Sequence, residues 1–196
     1  MADDSGWMLE LRYGDQLGPL DSILRTSGRL IIRTCSVETF DMALQVSRNL
    51  FQYFAADSEI IQSSADVDQQ KSNVISLALG RDFNEYLSEV HPISITGDRG
   101  LVLRKGNGQS RAYELEGGLG AIYLRPLVGG RLELVIWGYD DWGLRLASRL
   151  VPMLTGVGQP EYIVVSKACA WKGAAGVLAM GSFDNSWNLS EASFIS

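Results

Sequence analysis

The chain has 196 residues, enough for one compact domain with a real core, and its 46% apolar and 20% charged residues are ordinary for a globular protein. A formal charge of −6 argues against a general nucleic-acid binder, which needs a basic surface to release counterions. The longest uncharged apolar run, residues 173 to 183, falls far short of the roughly 20 residues of a membrane span.

Residues 1–27 read as a lead-in, in which Gly18-Pro19 signals a turn and Ile23-Leu24 a cap packed on the domain edge. Residues 28–196 read as a single α/β domain. Its first strand is Leu30–Thr34, ending at Cys35. Ser36 then caps a helix from Val37 to Phe54, whose expected buried stripe is Phe40, Ala43, Leu44, Ser47, Leu50, Phe51 and Phe54. Glu59-Ile60-Ile61 is a short strand, Ser63–Ser72 a polar loop and Val74–Leu79 a second buried strand. A short helix is expected over Arg81–Val90, closed by His91-Pro92. Between Ile93 and Leu115, glycine-punctuated runs have the pattern of hairpins. Ala121–Leu127 and Leu132–Trp137 are strands joined by a Gly129-Gly130 turn, followed by a helix from Trp142 to Leu154 and a strand at Tyr162–Val165.

Strands that are continuously apolar suit burial on both faces. The expected architecture is therefore α/β, a mostly parallel doubly wound (flavodoxin-like) sheet with an antiparallel hairpin insertion. The strands Leu30–Thr34, Val74–Leu79, Leu132–Trp137 and Tyr162–Val165 are expected parallel in one sheet. The mid-chain hairpins keep an α+β alternative alive.

The chain carries no recognisable reaction motif. It has no G-x-S-x-G elbow, and a Ser-His-Asp site on His91, the single histidine, has no sequence support. One histidine and the distant Cys35 and Cys169 give no close-spaced metal ligands and no disulfide framework; both cysteines read as small buried residues. Gly118-Leu119-Gly120 and Gly156-Val157-Gly158 do not lie between a strand and a helix, as dinucleotide binding requires, so no cofactor is expected. No catalytic residue can be named.

A binding site is thinkable where ligands of open α/β sheets sit, outside the carboxyl ends of the strands. That edge gathers Ser36, Arg81, Asp140 and Lys167, with Trp142 nearby. Asp140 and Asp141 also open a helix, and capping is the favoured reading of one of them. Trp137, Trp142, Trp171 and Trp187 read first as packing and second as an aromatic wall. Asn188-Leu189-Ser190 matches a glycosylation sequon, which matters only in a secreted protein.

Three segments bear a family likeness. Gln45-Val46-Ser47-Arg48-Asn49-Leu50-Phe51-Gln52-Tyr53-Phe54-Ala55-Ala56-Asp57, Leu150-Val151-Pro152-Met153-Leu154-Thr155-Gly156-Val157-Gly158-Gln159-Pro160 and Trp171-Lys172-Gly173-Ala174-Ala175-Gly176 resemble the C-terminal region of large fungal secreted proteins of the prolyl-oligopeptidase-like α/β-hydrolase group. The likeness runs from about Leu17 to the end. In such proteins the Ser-Asp-His machinery lies upstream in a separate domain, and no position here matches it. The resemblance thus implies a non-hydrolytic accessory domain that binds a neighbouring hydrolase domain or a small apolar ligand. The alternative is a small stand-alone, cofactor-independent isomerase, cyclase or lyase acting on an apolar metabolite. No nucleic-acid or membrane partner is expected, and a homo-oligomer stays open. The amino terminus has no basic and apolar leader, so the expected location is cytoplasmic as written, and secreted if the chain belongs to a longer one.

Overall fold

The computed structural model describes residues 11–34, 36–62, 71–80, 91–96, 100–151 and 159–196. The expected helix at Arg81–Val90 and most of the expected loop at Ser63–Ser72 lie outside these residues, as do Cys35, Arg81 and Gly156-Val157-Gly158.

Strands β1 (Arg29–Thr34), β2 (Glu59–Gln62), β3 (Ser72–Leu79), β7 (Gly120–Leu127), β8 (Arg131–Gly138), β9 (Tyr162–Val165), β10 (Val177–Gly181) and β11 (Phe194–Ile195) form one sheet, ordered β11-β10-β9-β7-β8-β3-β1-β2. A second, three-stranded antiparallel sheet holds β4 (Ile93–Thr96), β5 (Gly100–Arg104) and β6 (Ser110–Tyr113). Among the described residues the α-helices are α1 (Phe40–Phe54), α2 (Asp141–Ser148) and the single turn α3 (Cys169–Lys172).

The mostly parallel, doubly wound expectation is overturned. Among the described residues, parallel strand pairing is confined to β2-β1-β3-β8. β7 runs against both β8 and β9, and β10 against both β9 and β11, so antiparallel pairings predominate. Connection length is the reason. Val128-Gly129-Gly130 is a tight turn with both glycines at positive φ, which folds β7 directly back on β8. Residues 166–176 are likewise too short for a parallel crossover, which takes a dozen or more, so β10 returns against β9. The strands at Leu30–Thr34, Val74–Leu79, Leu132–Trp137 and Tyr162–Val165 do share one sheet and one direction. β7 nevertheless occupies the place beside β8 that a doubly wound sheet would give to β9.

Among the described residues, α1 and α2 lie on the same face of the sheet, another departure from a doubly wound fold. Leu50 and Phe54 of α1, Leu24, Leu134 of β8 and Val151 after α2 all line one small void there. The opposite face carries Tyr123 of β7 paired with Tyr162 of β9. His91 stacks on Tyr123 at 5.3 Å between ring centroids, Phe183 packs on His91 and Tyr162, and Trp187 on Phe183. The small sheet is tied in through the Tyr113 hydroxyl, which donates to the carbonyls of Leu178 and Ser196.

Helix α1 is rotated from its expected setting. It buries Met42, Ala43, Val46 and Leu50 against β1 and β2, while Phe40, Leu44 and Phe51 are exposed. Both sets have helical spacing, and the sheet selects between them. α2 ends at Ser148, short of the expected Leu154, and residues 152–158 lie outside those described.

Candidate functional site

The carboxyl edge of the co-directional strands is assembled around Asp140. Strand β8 delivers Gly138-Tyr139-Asp140 to the start of α2, where the Asp140 carboxylate accepts a hydrogen bond from Gly143 N at 2.8 Å. The same carboxylate accepts from Gly118 N, at 3.1 and 3.2 Å to its two oxygens, and Tyr139 N donates to Leu119 O. Asp140 therefore caps α2 and also pins the loop that enters β7.

Gly118 lies so close to Lys167 that a Cβ there would sit 2.6 Å from the Lys167 Cβ. The structure thus brings Asp140 and Lys167 together across Gly118, with Lys167 exposed and Trp142 46% exposed beside the cap. Ser36 follows β1 at the same edge. Its N–H donates to the Thr39 hydroxyl at 3.4 Å, and that hydroxyl donates back to the Ser36 carbonyl. Among the described residues no hydrogen bond or ion pair joins Ser36 to Asp140 or Lys167. Arg81 is outside the described residues.

Two features escaped the sequence reading. The first is a buried charge network on the Tyr123 face of the sheet. The Glu133 carboxylate accepts from Arg33 at 2.9 Å, from the Ser76 hydroxyl at 2.5 Å and from Arg125 Nε. Burial pushes the Glu133 carboxyl up, and the Arg125 and Arg33 guanidiniums with the Ser76 hydroxyl more than offset it, leaving it below the ordinary carboxylate value. The available signal was charge inside strands otherwise apolar, at Arg33, Arg125 and Glu133. The second is a cleft of about 550 Å³ at the amino-terminal edge of β1, β2 and β3, lined in part by Ile23, Leu24, Leu30, Asp57 and Asn73. It lies at the opposite edge from Asp140 and Lys167.

His91 is a core residue. Desolvation by burial is the main cause of its pKa falling from the ordinary 6.5 to about 4, and its Nδ1 is engaged by the backbone of Ile93. Trp137 and Trp187 are fully buried, whereas Trp142 and Trp171 face solvent. Cys169 is half-buried, and burial raises its thiol pKa. Among the described residues no group of His, Cys, Asp or Glu is arranged to hold a metal ion, and no helix is long and apolar enough to cross a membrane.

Fold and edge together define a sheet-rich domain, with a mixed eight-stranded sheet and a second antiparallel sheet, that sets Asp140 and Lys167 at one edge of the larger sheet. No family model matches the chain. It is 43% identical over 198 residues to an uncharacterized secreted protein of the fungus Arthroderma benhamiae, a match spanning 98% of this chain and 21% of that protein. The chain thus covers about a fifth of the length of this fungal, secreted relative, which lends no support to the expected cytoplasmic location and shows no link to a hydrolase.

Proposed function

We propose that the chain acts as a non-hydrolytic accessory domain of a longer secreted protein and docks against a neighbouring domain of the same polypeptide. The observation that carries this reading is the outer flank of α1. Phe40 is 42% exposed, Leu44 43% and Phe51 62%, and their spacings of four and seven place them in one line on the helix. Val37 extends the line at the amino-terminal end. Single exposed apolar side chains are common, but large ones aligned on one flank mark an interaction surface. The Ser47 hydroxyl, which lies in this line, is 2.8 Å from the Ser58 hydroxyl just before β2, so the flank faces the β2 edge of the sheet. On the opposite flank, Asn49 donates to the Val151 carbonyl beyond α2. The length of the relative supplies the occupant, since most of that protein lies outside the matching stretch. On the resemblance given above, the neighbour is an α/β-hydrolase domain that holds the Ser-Asp-His machinery itself.

Calorimetric titration of this domain against the remainder of its longer polypeptide tests the reading. The double variant Phe40→Ser, Phe51→Ser is expected to weaken binding at least tenfold, about 1.4 kcal/mol, with folding intact. Equal affinity of wild type and variant would sink the docking surface. Concentration-dependent self-association abolished by the same variant would assign the flank to a second copy instead. Hydrolysis of ester and peptide substrates is expected to stay at background, and serine-directed labelling with concurrent loss of a measured esterase activity would overturn the non-hydrolytic role.

The small-ligand form of this reading has one observation in its favour: Asp140 and Lys167 meet across Gly118, and exposed Trp142 lies in the helix turn that Asp140 caps. In that form Ser36, Arg81, Asp140 and Lys167 surround the ligand at the carboxyl edge, and Lys167→Ala weakens binding without lowering the melting temperature. A ligand seated in the amino-edge cleft would refute it.

A further inference from the structure

The turn between Phe183 and Leu189 is built around one carboxylate. Asp184 Oδ1 accepts from the backbone N–H of Ser186 at 2.8 Å and of Asn188 at 2.9 Å, and Oδ2 accepts from the Asn188 side-chain amide at 3.2 Å. Trp187, at φ 61, and Leu189 are both buried, and Leu189 pairs with Phe183 and with Lys105. Asn188, between two inward side chains, is turned toward the surface, where its amide hydrogen bond is exposed. The neighbouring turn runs alongside it: a Cβ on Gly106 would lie 3.5 Å from the Asn188 Cβ and 3.9 Å from its Nδ2, so glycine at that position leaves the amide more room than any other residue would.

Asn188 also opens the single Asn-X-Ser/Thr triplet of the chain, with Leu189 in the middle position, where only proline would forbid modification. We infer that Asn188 carries an N-linked glycan. This rests on the secreted reading above, because the modification belongs to the secretory pathway. The donor class is a lipid-pyrophosphate-linked oligosaccharide. The Asn188 Nδ2 forms a bond to the anomeric carbon of the first sugar as the bond from that carbon to the pyrophosphate oxygen breaks. The lipid pyrophosphate leaves with the bonding pair, and one amide proton is released. The amide keeps its second N–H, so the hydrogen bond to Asp184 survives and the turn holds its shape around the glycan.

The test sends the chain into the secretory pathway of a fungal host behind an added signal sequence. Intact mass and peptide mapping are then read before and after peptide-N-glycosidase treatment, on culture fluid and on protein recovered from the cells alike. Wild type and Ser190→Thr are expected to carry glycan on Asn188, released by the enzyme with conversion of that residue to aspartate, and Ser190→Ala to carry none. Wild-type protein from the secretory lumen without sugar at Asn188 would overturn the inference. Because the signal is supplied, this outcome reports on the site alone. Where the unaltered longer protein accumulates, inside the cell or in the culture fluid, tests the secreted reading separately.

Discussion

Asp140 holds more structure than its position at a helix start suggests. Its carboxylate meets the free N–H of Gly143 in the first turn of α2 and that of Gly118 in the loop entering β7. Asp140→Ala is therefore expected to cost about 1–2 kcal/mol, the range for a lost cap with a second donor left unpaired, and Asp140→Asn to recover much of it. Urea unfolding of the two variants checks this, and an unchanged midpoint for the alanine variant would contradict the dual role. His91 makes a pH prediction. Its folded pKa of about 4 lies below the ordinary 6.5, so between these values the unfolded chain binds the proton more readily. Stability should be undiminished by this group above pH 6.5 and should fall as the pH drops toward 4. At roughly 1.4 kcal/mol per pH unit the loss is about 3 kcal/mol. His91→Phe should flatten the slope in that window. Glu133 acts lower on the scale, its contribution present above the ordinary 4.5 and lost as the pH falls further. Persistence of the full slope in the His91→Phe variant would assign it elsewhere.

At the scale of elements, α1 offers a direct comparison of its two apolar sets. Leu50 is buried against the sheet, and Leu50→Ala should cost about 2–5 kcal/mol through loss of burial and the cavity left behind. Leu44, on the solvent flank, should tolerate the same change within about 0.5 kcal/mol. Equal costs would mean that the helix is seated differently. α2 approaches the sheet through glycines. A methyl group on Gly138 would lie 2.0 Å from Leu144 N, one on Gly143 2.0 Å from Leu119 O, and one on Gly120 2.3 Å from Gly143 O. All three clashes are with backbone, so a side chain would push the helix off β7 and β8. Gly143→Ala is expected to lower stability by at least about 2 kcal/mol, and a neutral melting temperature would show that α2 can shift. The existence of these elements was legible locally, as apolar runs, a Gly-Gly turn and a capping aspartate. The face of α1 that meets the sheet was not, because residues 40, 44 and 51 and residues 42, 46 and 50 have nearly equal helical periodicity. Of the carboxyl-edge residues, the approach of Asp140 to Lys167 depends on the Gly118 loop, whose path no local pattern specifies.

Across the whole molecule, the lead-in is bound into the domain by a buried ion pair. Arg12 donates to both carboxylate oxygens of Glu161, to the carbonyls of Phe183 and Gln16, and lies 4.5 Å over the Trp187 ring. Glu161 in turn accepts from Phe183 N. Arg12→Ala strands a buried carboxylate and is expected to cost about 3–5 kcal/mol, whereas pairing Arg12→Met with Glu161→Leu should restore much of the loss. Denaturant unfolding of the three proteins separates these outcomes, and a mild effect of Arg12→Ala would show the lead-in to be dispensable. The sequence by itself determined most of the strands, β10 and β11 excepted, where the chain must turn, and that one of Asp140 and Asp141 caps a helix, since turn chemistry, capping and apolar periodicity act between residues a few positions apart. Tertiary structure decided the seat of β7 between β8 and β9, the shared face of α1 and α2, the joining of Arg33, Arg125 and Glu133 in one network, and the Arg12 clamp. Each of these is a choice among neighbours distant in the chain, settled by competition for hydrogen-bonding edges and for buried charge partners, and such competition leaves no short-range trace in the order of residues.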